Sequence, residues 1–126
     1  FDLVRAVQDL KSEGILERDG HNAIILHKEA GLKVVLVALR KGYRLYPHKA
    51  EVPIIVHVLE GEIQFGVKDE TVQAARENPL ALRANMLVTL HAGLVHELHA
   101  VENSVFLLTM AGFAERSFDA GPNSAR

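Results

Sequence analysis

The first dozen residues carry the one helical period in the chain. Leu3, Val7 and Leu10 recur at helical spacing with Arg5, Gln8, Asp9 and Lys11 between them. This predicts a short helix over 2–12 whose narrow apolar face lies against a sheet, with Gly14 placed to cap it. From there the period is two. In Ala23–His27, Ile24 and Leu26 face one way and Ile25 and His27 the other. Leu32–Leu39 is apolar on both faces, as a strand between two packed layers would be. Ile54–Leu59 repeats that pattern apart from His57. Gly61 makes a tight turn, after which Ile63, Phe65 and Val67 alternate with Glu62, Gln64 and Gly66. Lys68–Glu70 reads as a hairpin tip, and Thr71–Asn85 as two short strands or a loop with a turn at Asn78-Pro79. Met86–Leu90, Val95–Val101 and Val105–Ala111 are strands, separated by turns at His91-Ala92-Gly93 and Glu102-Asn103-Ser104. Seven or eight short strands with one terminal helix predict an all-β sandwich or barrel. The expected division is a helix and lead-in over 1–20, a β-barrel over 21–114 and a polar tail over 115–126.

Composition narrows the chemistry more than the fold. At 126 residues the chain fits one domain, and 48% hydrophobic with 24% charged residues is ordinary for a globular protein. A formal net charge of -2 gives no electrostatic case for nucleic acid or an anionic membrane as partner. The absence of cysteine excludes disulfides, thiolate zinc sites and a cysteine nucleophile. No apolar run reaches the ~18–20 residues of a membrane span and no signal-peptide pattern opens the chain, so a cytoplasmic location is expected. Seven histidines stand against two tyrosines and no tryptophan.

Two stretches bear on function. One runs from Gly42 through His48, Ala50 and Ile54 to the turn Leu59-Glu60-Gly61. The other runs from Asn85 through His91 and Gly93 to His96. Together they resemble the two motifs of the cupin superfamily, small double-stranded β-helix (jelly-roll) barrels, over roughly residues 31–112. The resemblance implies a cupin barrel with a short N-terminal helix and a homodimer. It also implies where a metal would sit, because metal-binding cupins use two histidines and a glutamate from the first motif and a histidine from the second. The outer two of these positions are His48 and His96; the middle two are Ala50 and Ile54, which cannot bind a metal. Two nitrogens are fewer than the three protein ligands of a catalytic zinc site or of a two-histidine, one-carboxylate iron site.

Side-chain parity sorts the remaining histidines. If their strands are unbroken, Ile54, Val56 and Val58 share the inner face while His57 points away. His96, Leu98 and Ala100 likewise point inward while Glu97 and His99 point outward. His57 and His99 are then structural, covered by a partner strand or a second subunit, and His21 and His27 are surface residues. His91, on the turn before His96, is the one candidate for a third ligand. The expected ligand pocket is His48, His96 and His91, with Tyr46 and Arg44 at its rim, where Arg44 would bind a carboxylate. A metal set of His48, His96 and His91 enters only if iron, manganese, nickel, zinc or copper is bound. The sequence requires no cofactor. Phe65, Phe106 and Phe113 with Met86 and Met110 read as core filling.

Three functions fit these residues. A barrel that binds a small molecule without the usual metal site accommodates Ala50 and Ile54 best. The alternative is a metal-dependent cupin enzyme, of dioxygenase or isomerase type, with a nonstandard histidine site. The third is a dimer scaffold, which is disfavoured because no DNA-binding helix pair follows the sheets.

Overall fold

Asp2 opens the first helix, α1 (Leu3–Ser12), by accepting the Arg5 N–H on its carboxylate at 3.2 Å. The protein is described here by a computed structural model covering residues 1–68 and 79–112, less the side chains of Pro47, His48 and Lys68. The expected hairpin tip beyond Lys68, residues 71–78 of the ambiguous stretch, Phe113 and the polar tail lie outside the described residues. The sequence pattern predicts one helix, and among the described residues there are two. Gly14, at φ +80°, ends α1 and starts α2 (Ile15–Asp19), which Gly20 closes at φ +85°. A five-residue helix with one buried side chain, Leu16, has no periodicity to detect. Among the described residues no helix is long and apolar enough to cross a membrane.

Among the described residues nine strands follow: β1 (His21–Glu29), β2 (Leu32–Leu39), β3 (Arg44–Lys49), β4 (Ile54–Glu60), β5 (Glu62–Lys68), β6 (Leu80–Arg83), β7 (Leu87–Leu90), β8 (Val95–Ala100) and β9 (Ser104–Ala111). All pairings are antiparallel. They nest first with last: β2 with β9, β3 with β8, β4 with β7, β5 with β6. The result is two sheets, in the orders β1-β2-β9-β4-β7 and β3-β8-β5-β6, which is the arrangement of a jelly roll with β1 added at one edge. Of the ambiguous 71–85 stretch, the described part contains the single strand β6.

Alternation places the core between the sheets. Ile54, Val56, Val58 and Phe106 of the first sheet meet Ile63, Phe65 and Leu98 of the second in one buried cluster. The double-sided apolarity of β2 has a different origin on each face. Val37 and Leu39 turn into that inner core. Leu36 and Ala38, both fully buried, turn outward beneath Val7, Leu10 and Leu16 of the two helices. Buried Asn22 pins the helices from below: its side-chain N–H donates to the Leu10 carbonyl at 3.1 Å and to the Glu13 carboxylate at 2.8 Å. Lys11 adds an exposed ion pair to Glu60 at 2.6 Å. Met86 departs from its expected core role. It is 39% exposed, and its sulfur accepts the Arg83 N–H at 3.3 Å across a turn.

The Leu59-Glu60-Gly61 turn has a steric cause. Gly61 sits at φ +83°, and a Cβ there would lie 2.3 Å from the Asn103 carbonyl oxygen and 2.5 Å from the Ser104 hydroxyl. The missing side chain lets the β4–β5 turn press onto the β8–β9 turn. The buried Ser104 hydroxyl locks that approach, accepting from the Glu62 N–H at 3.1 Å and donating to the Glu102 carbonyl at 2.7 Å.

Two stability predictions follow from these contacts. Gly61→Ala combines a disfavoured φ with a backbone clash and should destabilise by ~2–4 kcal/mol. A smaller fall in urea midpoint than Ser104→Ala produces would refute that account. Leu10→Ala should destabilise by ~2–5 kcal/mol. If the helices are an independent flap instead, the urea transition will split into two phases rather than move as one.

Candidate functional site

The two motif histidines meet across β3 and β8. Register pairs Leu45 with Leu98, and then His48 with His96. Three residues of β3 therefore span what two residues of β8 span, so the pair carries a one-residue bulge. Strict alternation from Leu45, which packs on the inner core, would assign position 48 to the outer face. The bulge absorbs one residue and brings position 48 into register with an inner-face residue instead. Motif spacing anticipates the pairing of His48 with His96. It does not disclose the bulge that achieves it.

His96 is 7% exposed. Its ring stacks on that of Phe65, with centroids 5.6 Å apart and planes inclined by 14°, and Val67 is its cross-strand neighbour on β5. The imidazole Nδ1 lies 3.4 Å from the Leu94 carbonyl, a long contact consistent with donation from Nδ1–H. The β7–β8 turn that presents His96 is tied to the first motif by the Gly93 N–H, which donates to the Ala50 carbonyl at 2.8 Å. Ala50 packs against the core and Ile54 is 3% exposed within it. The two middle motif positions are thus methyl and sec-butyl surface, not polar gaps.

The other expected pocket residues lie elsewhere. His91 is exposed in the β7–β8 turn. It borders a concavity of about 360 Å³ along β4, β7 and β9, whose walls include Ile55, Thr89 and Thr109. Arg44 and Tyr46, expected beside His48, are exposed and border a concavity of about 160 Å³ with Gln64, Gly66, Glu97 and His99. These are outward positions of the second sheet, whereas His96 is buried on its inner side. The cause is again parity, since Arg44 opposes outward His99 and Gly66 opposes outward Glu97. His57 and His99 are half-buried on outer faces, as parity predicts. His27, expected as a plain surface residue, pairs with Glu29 at 2.9 Å, and His21 packs against Tyr43 at 4.9 Å between ring centroids.

The donor set does not fit the metal that the family motif would hold. Among the described residues no three histidine, cysteine, aspartate or glutamate side chains group together. The four motif positions supply two imidazole-bearing residues, His48 and His96, and two hydrocarbon ones, Ala50 and Ile54.

With this geometry in hand, the chain can be set beside known proteins. No family model and no curated protein sequence matches it. Solved structures do match. KdgF from Halomonas sp. is 18% identical with a TM-score of 0.64, covering 74% of this chain and 81% of that one. An RmlC-like cupin from Shewanella frigidimarina is also 18% identical, with a TM-score of 0.64 and coverage of 73% and 76%. Salicylate 1,2-dioxygenase from Pseudoaminobacter salicylatoxidans, in a structure with gentisate, is 13% identical with a TM-score of 0.73; the match covers 88% of this chain but 32% of that one. The protein has the cupin fold. Where the superfamily's first motif would place its middle two metal ligands, this chain has Ala50 and Ile54, and among the described residues no group of three metal-binding side chains occurs.

Whether Ala50 and Ile54 alone set this site apart from a metal centre can be tested by substitution. The double substitution Ala50→His with Ile54→Glu should raise divalent-metal content at least tenfold over the parent protein, measured by plasma mass spectrometry. It should also lower stability, because Ile54→Glu puts a carboxylate at a buried position. Unchanged metal content in a folded double variant would mean that more than two residues separate this site from a metal centre.

Proposed function

We propose that this protein is a non-enzymatic small-molecule binder whose sheets close as a barrel around an apolar interior. His48 and His96 supply the polar contacts to the ligand, and no metal takes part. The observation that carries this reading is His96. His96 is a nearly buried imidazole stacked on Phe65 in largely apolar surroundings, where a hydrogen bond to a ligand is made at low dielectric. The preferred ligand is a small, mainly apolar acid, whose carboxylate accepts from imidazole while its hydrocarbon part meets Ala50, Ile54 and Val67. A homodimer accords with the exposed apolar side chains of the first sheet, Ile55 at 39% and Leu87 at 55% exposure. The metal-dependent enzyme remains the competing reading, with the fold likeness to a dioxygenase on its side and the donor count against it.

Two measurements on untagged protein separate the readings. The first is metal content in the parent, His48→Ala and His96→Leu proteins. The second is thermal stability with a panel of small aliphatic and aromatic carboxylic acids. Metal should be far below stoichiometric. One class of acid should stabilise the parent, by about 2.7 kcal/mol at 100 times its dissociation constant, and should leave both variants unmoved. His96→Leu, an apolar replacement in apolar surroundings, should itself change stability by less than ~1.5 kcal/mol. Stoichiometric metal lost from both variants would overturn the proposal in favour of the enzyme.

A further inference from the structure

The outward face of the second sheet carries a cleft that the interior site does not use. Its floor is Gly66 of β5, and its walls include Arg44 and Tyr46 of β3, Gln64 of β5, and Glu97 and His99 of β8. Two local features open it on a surface that would otherwise be flat. The β3 bulge lies between Leu45 and His48, where Tyr46 stands 76% exposed at the cleft edge. At Gly66 there is no side chain. A Cβ there would lie 3.2 Å from the Glu97 Cγ and 3.3 Å from its carboxylate oxygen, so the glycine lets Glu97 lie low across the sheet.

The chemistry of the walls is more telling than their shape. Arg44 opposes His99 in the register and Glu97 lies one outward position along β8, which makes the cation and the carboxylate diagonal neighbours. Diagonal positions sit ~7–8 Å apart, within easy reach for two long side chains. Yet Arg44 and Glu97 form no ion pair with each other or with any other described residue. His99 and Gln64, which continue the cross-strand row that starts at Arg44, likewise make no side-chain hydrogen bond among the described residues. A cation and an anion held on either side of a 160 Å³ cleft, unpaired, are complementary to a molecule that carries both charges. That volume equals about five waters at ~30 Å³ each. It accommodates the head group of an α-amino acid and a short side chain.

We propose that this cleft binds a small zwitterion of the α-amino acid class. The ligand carboxylate pairs with the Arg44 guanidinium, the ammonium with the Glu97 carboxylate, and Gln64 and His99 hydrogen-bond between them. This site is separate from the interior one, and the two proposals fail independently.

The test uses amide-resolved NMR titration of the isotope-labelled protein with L-alanine at up to tens of millimolar. N-acetyl-L-alanine and L-alaninamide serve as probes that each lack one charge, and glycylglycine as a zwitterion with its charges further apart. L-alanine should shift the amides of Gln64, Gly66 and His99. Both single-charge analogues, and L-alanine added to Arg44→Gln or Glu97→Gln, should bind at least tenfold more weakly, equivalent to about 1.4 kcal/mol. Gly66→Ala, which crowds the Glu97 carboxylate, should weaken binding in the same direction, while His96→Leu should leave it unchanged. Tighter binding of glycylglycine than of L-alanine would move the ligand class from free amino acids to peptides and refute the proposal as stated. Absence of shifts at the cleft, or equal shifts in parent and Arg44→Gln protein, would refute the site altogether.

Discussion

The alternation of side chains between two facing sheets is the constraint on which this structure rests. Each strand has one face to give to the gap between the sheets, and the period of two decides which residues fill it. Phe65 and Ile63 on β5, Leu98 and Ala100 on β8, and Val56 and Val58 on β4 meet there essentially without exposure. A single-residue slip in any of these strands would exchange its core for its surface. Any departure from strict alternation therefore has a large effect. The one in β3 is the departure that matters for function, because it sets position 48 against His96. The same bulge lies beside Tyr46 on the opposite face.

Much of this was legible in the sequence because alternation is a local signal. The bounds of β2, the inward set Ile54, Val56 and Val58, and the outward placement of His57 all follow from counting residues. The turn at Gly61 was legible as a turn. Its reason, a carbonyl of the β8–β9 turn where a Cβ would stand, depends on residues some forty positions away. The helix α2 was not legible, since one buried leucine between two glycines has no period. Nor was the double-sided apolarity of β2 traceable to its cause. A second apolar face can mean a partner subunit or a helix from the same chain, and only the tertiary structure puts Leu10 and Leu16 over Leu36 and Ala38.

The candidate site was half legible for a related reason. Motif spacing brought His48 and His96 together because the resemblance carries the bulge with it unannounced. Arg44 and Tyr46 are near His48 in sequence but stand at outward positions of the second sheet. Residues two and four positions before a histidine look like its neighbours, but in a strand proximity along the chain says nothing about which side of the sheet is reached. Arg44 opposes His99, and that pairing, not its distance from His48, decides its surroundings.

The two sites differ in the kind of work their polar groups can do. In the interior, His96 is nearly buried and lies against Phe65, so each hydrogen bond it makes is strengthened by low dielectric and each one it lacks is costly. Such a position suits selective recognition of one polar atom on an apolar molecule. On the outer face Arg44, Gln64 and Glu97 are exposed, and water competes for every contact they offer. Affinity there has to come from several charges engaged at once, which favours a ligand bearing both signs over a singly charged one. Ala50 and Ile54 suit the interior to the first mode, because they line the gap between the sheets with hydrocarbon. The strand pair β3–β8 then presents an apolar, histidine-marked surface on one side and a charged one on the other, and a single bulge lies at the edge of both.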